Sequence, residues 1–279
     1  MPEHIRVWRN AEIQGIELQR GVEVTRRVPP HWHDDYQLCL VHGGAGELFY
    51  RGVRHANPPW SLFIVHPGEV HSNQATTERG CDFRTINAAP EILKQAAEAV
   101  DLKRHALPFF PSPVLLDEEA TRRFQRLHQL LEHPSARLER DALLLETLAH
   151  LVRRHAQDAP APVRVGHEPQ GVGRARDYLE AHFTDEIPLQ RLAAIARLSP
   201  YHLNRAFRRA FGLPPHAFQT QLRLANARTL LRQGKLLATV AAETGFADQS
   251  HMTRRFKTVV GVTPGAYRKN VQDRSRSAR

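Results

Sequence analysis

Apolar positions along the chain change period twice. Up to about residue 90 they come in short runs closed by turn residues. Tyr36-Gln37-Leu38-Cys39-Leu40-Val41 is followed by His42-Gly43-Gly44-Ala45-Gly46, and Glu47 to Arg51 by Gly52. Asn57-Pro58-Pro59 marks another turn, and Ser61-Leu62-Phe63-Ile64-Val65 stops at Pro67-Gly68. Short strands with a turn every ten or so residues predict an all-β barrel or sandwich. From Glu91 the period becomes helical. Glu91 to Val100 is a short helix, and Glu118 to Glu132 places Phe124, Leu127 and Leu131 on one face. His133-Pro134 breaks that helix and Ser135 is a candidate cap for the next, Ala136 to Ala156. There Leu138, Leu145, Leu148 and Val152 make one stripe, widened by Leu144 and Leu151. Such a stripe either closes the domain core or packs on a second subunit. Residues 157–171 have no periodicity and three prolines, the composition of a linker.

Residues 172–270 are helical throughout, in short Leu/Ala-rich segments broken by Gly and Pro. Two segments repeat one plan. In the first, Leu189, Leu192, Ala193 and Ala196 share a face, and a tight turn at Arg197-Leu198 follows. Ser199 is the N-cap and Pro200 the first residue of a second helix, which buries Leu203, Phe207 and Phe211. Its outer face carries Tyr201, His202, Asn204, Arg205, Arg208 and Arg209. In the second, Val240 to Gly245 ends a short helix, Gly245 supplies a positive φ, and Asp248 caps the next helix. Met252 and Phe256 point inward; Gln249, Ser250, His251, Thr253, Arg254 and Lys257 point outward. Each is a helix-turn-helix pattern. A helix of about Ala217 to Gln233 joins them. Arg reads guanine in a bidentate way and Asn or Gln reads adenine, so these outer faces suit base edges in the major groove.

Charge supports the same partner. The 279 residues carry a net +10, but residues 172–279 hold 19 Lys/Arg against 7 Asp/Glu, a net of +12, while residues 1–171 are at −2. A neutral module joined to a basic one is the electrostatic footprint of a polyanion binder. With 41% hydrophobic and 24% charged residues the chain can build two ordinary cores. No run approaches the roughly 18 apolar residues of a membrane span. Met1 to Arg9 lacks a signal-peptide core, so a cytoplasmic location is expected. Two cysteines, Cys39 and Cys81, exclude a disulfide scaffold and a cysteine-cluster alkyl acceptor, and are expected to be inert buried thiols.

The stretch Gly245-Phe246-Ala247-Asp248-Gln249-Ser250-His251-Met252-Thr253-Arg254-Arg255-Phe256-Lys257, with Gly261-Val262-Thr263-Pro264-Gly265-Ala266-Tyr267-Arg268, resembles the signature of the AraC-type transcription regulators. Leu192-Ala193 through Ser199-Pro200, Leu203 and Phe207 to Gly212 resembles that family's first unit. The resemblance covers about 172–269 and implies sequence-specific binding of bacterial promoter DNA, usually as an activator that contacts RNA polymerase. By position it implies base reading by Tyr201, Asn204 and Arg205, and by Ser250, His251 and Arg254 with Gln249 nearby. The family usually has Gly where this chain has Arg197, and a non-Gly residue at positive φ costs about 1 kcal/mol.

The N-terminal part resembles the cupin barrel over about 20–90: His31-Trp32-His33, then Gln37, Gly44, and a distant Pro67-Gly68-Glu69-Val70-His71. In a strand, His31 and His33 share a face, and a histidine from a neighbouring strand would complete a facial metal site. The cupin carboxylate position is Gln37 here, and a neutral amide is a poorer ligand and no base. The expectation is therefore that His31, His33, Gln37 and His71 line a small-molecule effector pocket, with no metal, cofactor or catalytic residue. A metal site and plain structural histidines are the alternatives. The expected architecture is a cupin-like effector barrel with dimerisation helices (1–156), a linker (157–171), a double helix-turn-helix domain (172–270) and a disordered basic tail (271–279). The expected protein is a homodimeric, effector-controlled regulator. The competing readings are a metal-dependent cupin enzyme with an appended DNA-binding domain, and a constitutive DNA binder whose barrel only dimerises.

Overall fold

The structure is a computed structural model that describes residues 4–9, 13–100, 107–133, 136–157 and 170–272. Residues 134, 135, 158–169 and 273–279 lie outside them, and with them the proposed Ser135 cap, most of the expected linker and most of the tail. Two compact units are present, Met1–Ala161 and Pro162–Gln272. Among the described residues no helix is long and apolar enough to cross a membrane.

The first unit has two antiparallel sheets. The larger contains β1 (His4–Arg9), β2 (Ile16–Val24), β4 (Tyr36–Gly43), β7 (Ser61–Val65), β9 (Cys81–Ala88) and β10 (Val114–Leu115), in the order β1-β2-β9-β4-β7-β10. The smaller contains β3 (Val28–His31), β5 (Gly46–Tyr50), β6 (Val53–Asn57) and β8 (His71–Ala75), in the order β3-β8-β5-β6. The expected all-β domain is present, and among the described residues its two sheets are separate hydrogen-bonded ladders, so the cupin-like barrel takes the form of a two-sheet sandwich. The edge strand β3 reads Val-Pro-Pro-His, and its prolines remove the donors that would invite another strand.

The unbroken apolar runs have a direct cause: the larger sheet is covered on both faces. Tyr36, Leu38 and Leu40 of β4 and Leu62 and Ile64 of β7 join a core shared with α1 (Pro90–Glu98), α2 (Glu118–Glu132) and α3 (Arg137–His155). The alternate residues Cys39, Val41, Phe63 and Val65 join a second core with Leu48 and Tyr50 of the smaller sheet. A strand buried on both sides shows no alternation, since both parities are apolar. Phe124, Leu127 and Leu131 of α2 are buried as expected. The stripe on α3 is corrected. Leu144, Leu148, Leu151 and Val152 are buried, whereas Leu138 is 81% and Leu145 45% exposed.

The second unit is all α. It contains α4 (Gln170–Ala181), α5 (Leu189–Ala196), α6 (Pro200–Phe211), α7 (Pro215–Arg232), α8 (Leu237–Glu243), α9 (Gln249–Val260) and α10 (Pro264–Gln272). Helix α7 packs against α4, α6, α8, α9 and α10. Its Phe218, Gln221, Leu224, Ala227 and Leu231 are buried at spacings of three to four residues. Leu192, Ala193 and Ala196 of α5 are buried as the periodicity requires, but Leu189 is partly exposed.

Candidate nucleic-acid interface and buried histidine cluster

Helices α5 and α6 form one helix-turn-helix, α8 and α9 the other. Their turns use one hydrogen-bond pattern. After α5, Arg197 N–H donates to the Ala194 carbonyl and Leu198 N–H to the Ala193 carbonyl, with Arg197 at φ 54°, ψ 43°. After α8, Gly245 N–H donates to Ala242 and Phe246 N–H to Ala241, with Gly245 at φ 76°. Arg197 is thus a side-chain-bearing residue in the left-handed conformation that glycine takes in the second unit. The remaining α5 carbonyls are also satisfied: Arg174 donates from Nε to Ile195 and from Nη2 to Ala196. All four last carbonyls of α5 have donors, which offsets the strain at Arg197.

Both second helices begin on a side-chain cap. Ser199 Oγ accepts from His202 N–H at 3.3 Å, with Pro200 in the first turn. Asp248 Oδ1 accepts from His251 N–H at 2.6 Å. Leu203 and Phe207 in α6, and Met252 and Phe256 in α9, are fully buried. Tyr201, Asn204 and Arg205 are exposed together on α6, as are Gln249, Ser250 and Arg254 on α9. Arg205 Nη1 donates to Tyr201 Oη at 3.3 Å, so these two act as a pair. His251 is half-buried, its ring set edge-on to Phe246 at 5.4 Å.

Part of the basic excess is structural. Arg223 donates to the carbonyls of Phe183, Thr184 and Asp185, where Gln219 joins it at Phe183 and Asp185. Arg268 donates to Lys235 O, and Arg232 to Tyr267 Oη. Charge counting alone does not separate these arginines from Arg205, Arg208, Arg209, Arg254 and Arg255, which are exposed on α6 and α9.

In the first unit, His31, His33 and His71 come together as the sequence proposed, but not by a shared strand. β3 ends at His31, and His33 lies beyond it, its carbonyl accepting from Gly68 N–H at 2.8 Å. His31 is the register partner of His71 across β3 and β8, and His71 is that of Tyr50 across β8 and β5. Directly opposed residues project to one face, here the face of Tyr50 in the inter-sheet core. All three histidines are buried. Ring centroids lie 4.2 Å apart for His31–His71, 4.9 Å for His33–His71 and 6.1 Å for His31–His33. One ring nitrogen of each lies within 4.8 Å of the others.

Each Nδ1 sits against a backbone carbonyl: His31 against Pro29 at 2.9 Å, His33 against Asp35 at 2.7 Å, His71 against Glu69 at 3.2 Å. A carbonyl only accepts, so Nδ1 carries the proton and Nε2 of the neutral ring carries the lone pair. Burial, with His31 and His33 beside it, holds His71 well below the usual histidine range. Gln37 stands on the larger sheet, opposite Val65 and Asn87, and its amide donates to Asn87 Oδ1 at 3.3 Å. Burial pushes the Cys39 thiol up to about 12 and the Cys81 thiol to about 11, so neither is a thiolate nucleophile at neutral pH.

Sequence reasoning missed a polar network beside this cluster. His66 Nε2 accepts from Phe110 N–H at 2.9 Å, and its Nδ1 meets Tyr50 Oη at 2.9 Å. Arg51 binds Glu69 through Nε and Nη2. Burial first, then Arg51, lowers His66 to about 4. His66 precedes the Pro67-Gly68 turn, which was the only local signal there.

Comparisons with known proteins agree with this architecture. A family model described as an AraC-like ligand binding domain matches residues 14–148, and one described as a helix-turn-helix domain matches residues 192–270. The chain is 32% identical over 237 residues to the uncharacterized HTH-type transcriptional regulator YbfI of Bacillus subtilis, covering 85% of this chain and 86% of that one. It is 25% identical over 252 residues to the HTH-type transcriptional activator RhaS of Pectobacterium atrosepticum, covering 86% and 87%. Among solved structures, unsaturated fatty acid bound wild-type ToxT from Vibrio cholerae has a TM-score of 0.55 at 11% identity, covering 97% of this chain and 96% of that one. ToxT from Vibrio cholerae O395 gives 0.52 at 12%, covering 97% and 98%. At such identities these two speak to the fold. Matched on both halves and related to YbfI along most of its length, the chain belongs to the AraC-type transcription regulators, with a ligand-binding N-terminal domain and a DNA-binding helix-turn-helix domain.

Proposed function

We propose that the protein activates transcription in the cytoplasm by reading promoter DNA with α6 and α9, under control of a ligand held at His31, His33, Gln37 and His71. In this reading Tyr201, Asn204 and Arg205 contact bases in one major groove, and Gln249, Ser250, His251 and Arg254 contact bases in the next. Exposed Arg208, Arg209, Arg255 and Lys257 hold phosphates and set register. The observation that carries the proposal is the pair of capped helices with matching turns, both packed on α7 and both turning a polar, basic face outward. RNA polymerase is the partner on DNA. A second copy is the partner in solution, and exposed Leu138 and Leu145 on α3 are the apolar positions that suit it. The N-terminal domain binds its ligand without turning it over. A ligand shifts such a regulator only as far as it prefers one arrangement over another.

The experiment is selection of bound fragments from the source genome with the purified full-length protein. Paired half-sites near promoters, roughly ten base pairs apart, are expected. R254A is expected to relax choice at one operator position and to cost about 1–3 kcal/mol there. Equal loss on every sequence would show that Arg254 holds phosphate and reads no base.

A further inference from the structure

We propose that Arg197 binds a backbone phosphate of duplex DNA beside the start of α6, so that the first recognition helix is held to both walls of its groove. The proposal deepens the DNA-reading assignment above and rests on it. It adds a contact that the family's base-reading positions do not include.

The two helix-turn-helix units differ in charge. Residues 189–211 hold five arginines and no acidic residue. Residues 237–260 hold Arg254, Arg255 and Lys257 against Glu243 and Asp248. Position sharpens the contrast. Arg208 and Arg209 stand in the last turn of α6, about 12 Å along the axis from its first residue. Arg197 stands two residues ahead of the Ser199 cap, within about 7 Å of it. Exposed cations therefore bracket Tyr201, Asn204 and Arg205 at both ends of the helix. On α9 the place ahead of the base-facing residues belongs to the Asp248 carboxylate, which accepts from His251 N–H and repels phosphate. A major groove is about 12 Å wide and has a phosphate row on each side, so a helix with cations at both ends reaches both rows.

Arg197 is also free to make such a contact. Its side chain is exposed, and among the described residues it has no hydrogen bond, ion pair or ring contact. The last α5 carbonyls need nothing from it. Those of Ala193 and Ala194 take the N–H groups of the turn, and those of Ile195 and Ala196 take Arg174. Other arginines of the domain are committed, Arg223 to three carbonyls and Arg268 to Lys235 O. At φ 54° Arg197 holds a conformation that glycine adopts without strain, and no contact of its side chain within the domain offsets that strain. A guanidinium offers phosphate paired donors in a fixed geometry, which a glycine at this turn would lack.

The test measures binding of the full-length protein to a short random-sequence duplex, and to fragments selected from the source genome, between about 50 and 200 mM salt. R197G removes the charge at a turn where glycine is at ease, so the fold survives. The plot of log affinity against log salt should become shallower by about 0.9, the share of one phosphate contact. At about 0.15 M salt that share is about 5-fold in affinity. R197K keeps a cation and should keep the wild-type slope. The loss in R197G should be equal on the random duplex and on the selected fragments, because phosphate carries no sequence. An unchanged slope in R197G, a loss in R197K as large as in R197G, or a loss confined to one sequence overturns the contact and leaves DNA reading by α6 and α9 standing. Wild-type protein that binds no duplex even at about 50 mM salt overturns the contact and the DNA reading together.

Discussion

Gly245→Ala is the sharpest probe of the DNA-binding domain, because the two helix-turn-helix units meet one backbone demand with different residues. At φ 76° an alanine incurs the left-handed penalty of about 1–2 kcal/mol. The new Cβ would also overlap the Thr184 carbonyl oxygen and lie 2.6 Å from Thr184 Cα and 2.7 Å from its carbonyl carbon. These are backbone atoms, and their segment cannot easily retreat. Arg223 holds the carbonyls of Phe183, Thr184 and Asp185, and Gln219 holds two of the same three. Overpacking of this kind costs about 1–3 kcal/mol. The sum is about 2–5 kcal/mol. At about 4–8 °C per kcal/mol for a domain of this size, the C-terminal transition should fall by at least about 8 °C. Differential scanning calorimetry of the full-length protein reads this directly. Arg197→Gly provides the contrast. Relief of about 1–2 kcal/mol of strain is offset by about 0.4–1 kcal/mol of added unfolded-chain entropy, so that variant should be neutral or slightly more stable. A fall of less than about 4 °C for G245A, or a clear loss of stability for R197G, would refute the argument that these positions are equivalent.

Two further outcomes are expected. S199A and D248A should each cost about 1 kcal/mol of C-terminal stability, since each removes an oxygen that accepts a helix-start N–H. Thermal melts that leave both unchanged would mean water caps these helices equally well. The N-terminal domain should lose stability on acidification. Its His66 is held at about 4, beside Arg51, Tyr50 and Glu69, while an unfolded histidine titrates near 6.5. Below pH 6.5 the unfolded chain therefore binds a proton that the folded chain refuses. The stability is complete above pH 6.5 and is lost toward pH 4, by about 3 kcal/mol from this residue. Burial lowers His71 and His128 too, which adds in the same direction. A flat melting temperature from pH 6.5 to 4.5 would contradict this.

Some features were legible because their causes are local. Ser199, Asp248 and Gly245 act within one turn of the helix they begin or end, so their roles follow from spacing. The positive φ of Arg197 was legible only through the family resemblance, which places glycine at that turn. The end of α2 followed from the His133-Pro134 break, and the burial of Phe124, Leu127 and Leu131 from helical period.

Other features depend on partners far away in the chain. A Leu stripe on α3 looks equally apolar on two faces, and only the position of the larger sheet makes Leu144 and Leu148 core while Leu138 faces out. A basic residue count cannot tell Arg223, whose guanidinium holds a turn nearly forty residues away, from Arg254. The sheets stay open because two separate hydrogen-bonded ladders form, a matter of long-range register on which local turn signals are silent. The histidine cluster lies between these cases. Three histidines were visible as a pattern, but their meeting depends on the pairing of His31 with His71 and on the Gly68 bond that brings His33 back. Local hydrogen bonds and helical period are written in neighbouring residues. Register, layering and the facing of a side chain are set by how distant segments exclude water together, and those became visible only in the folded chain.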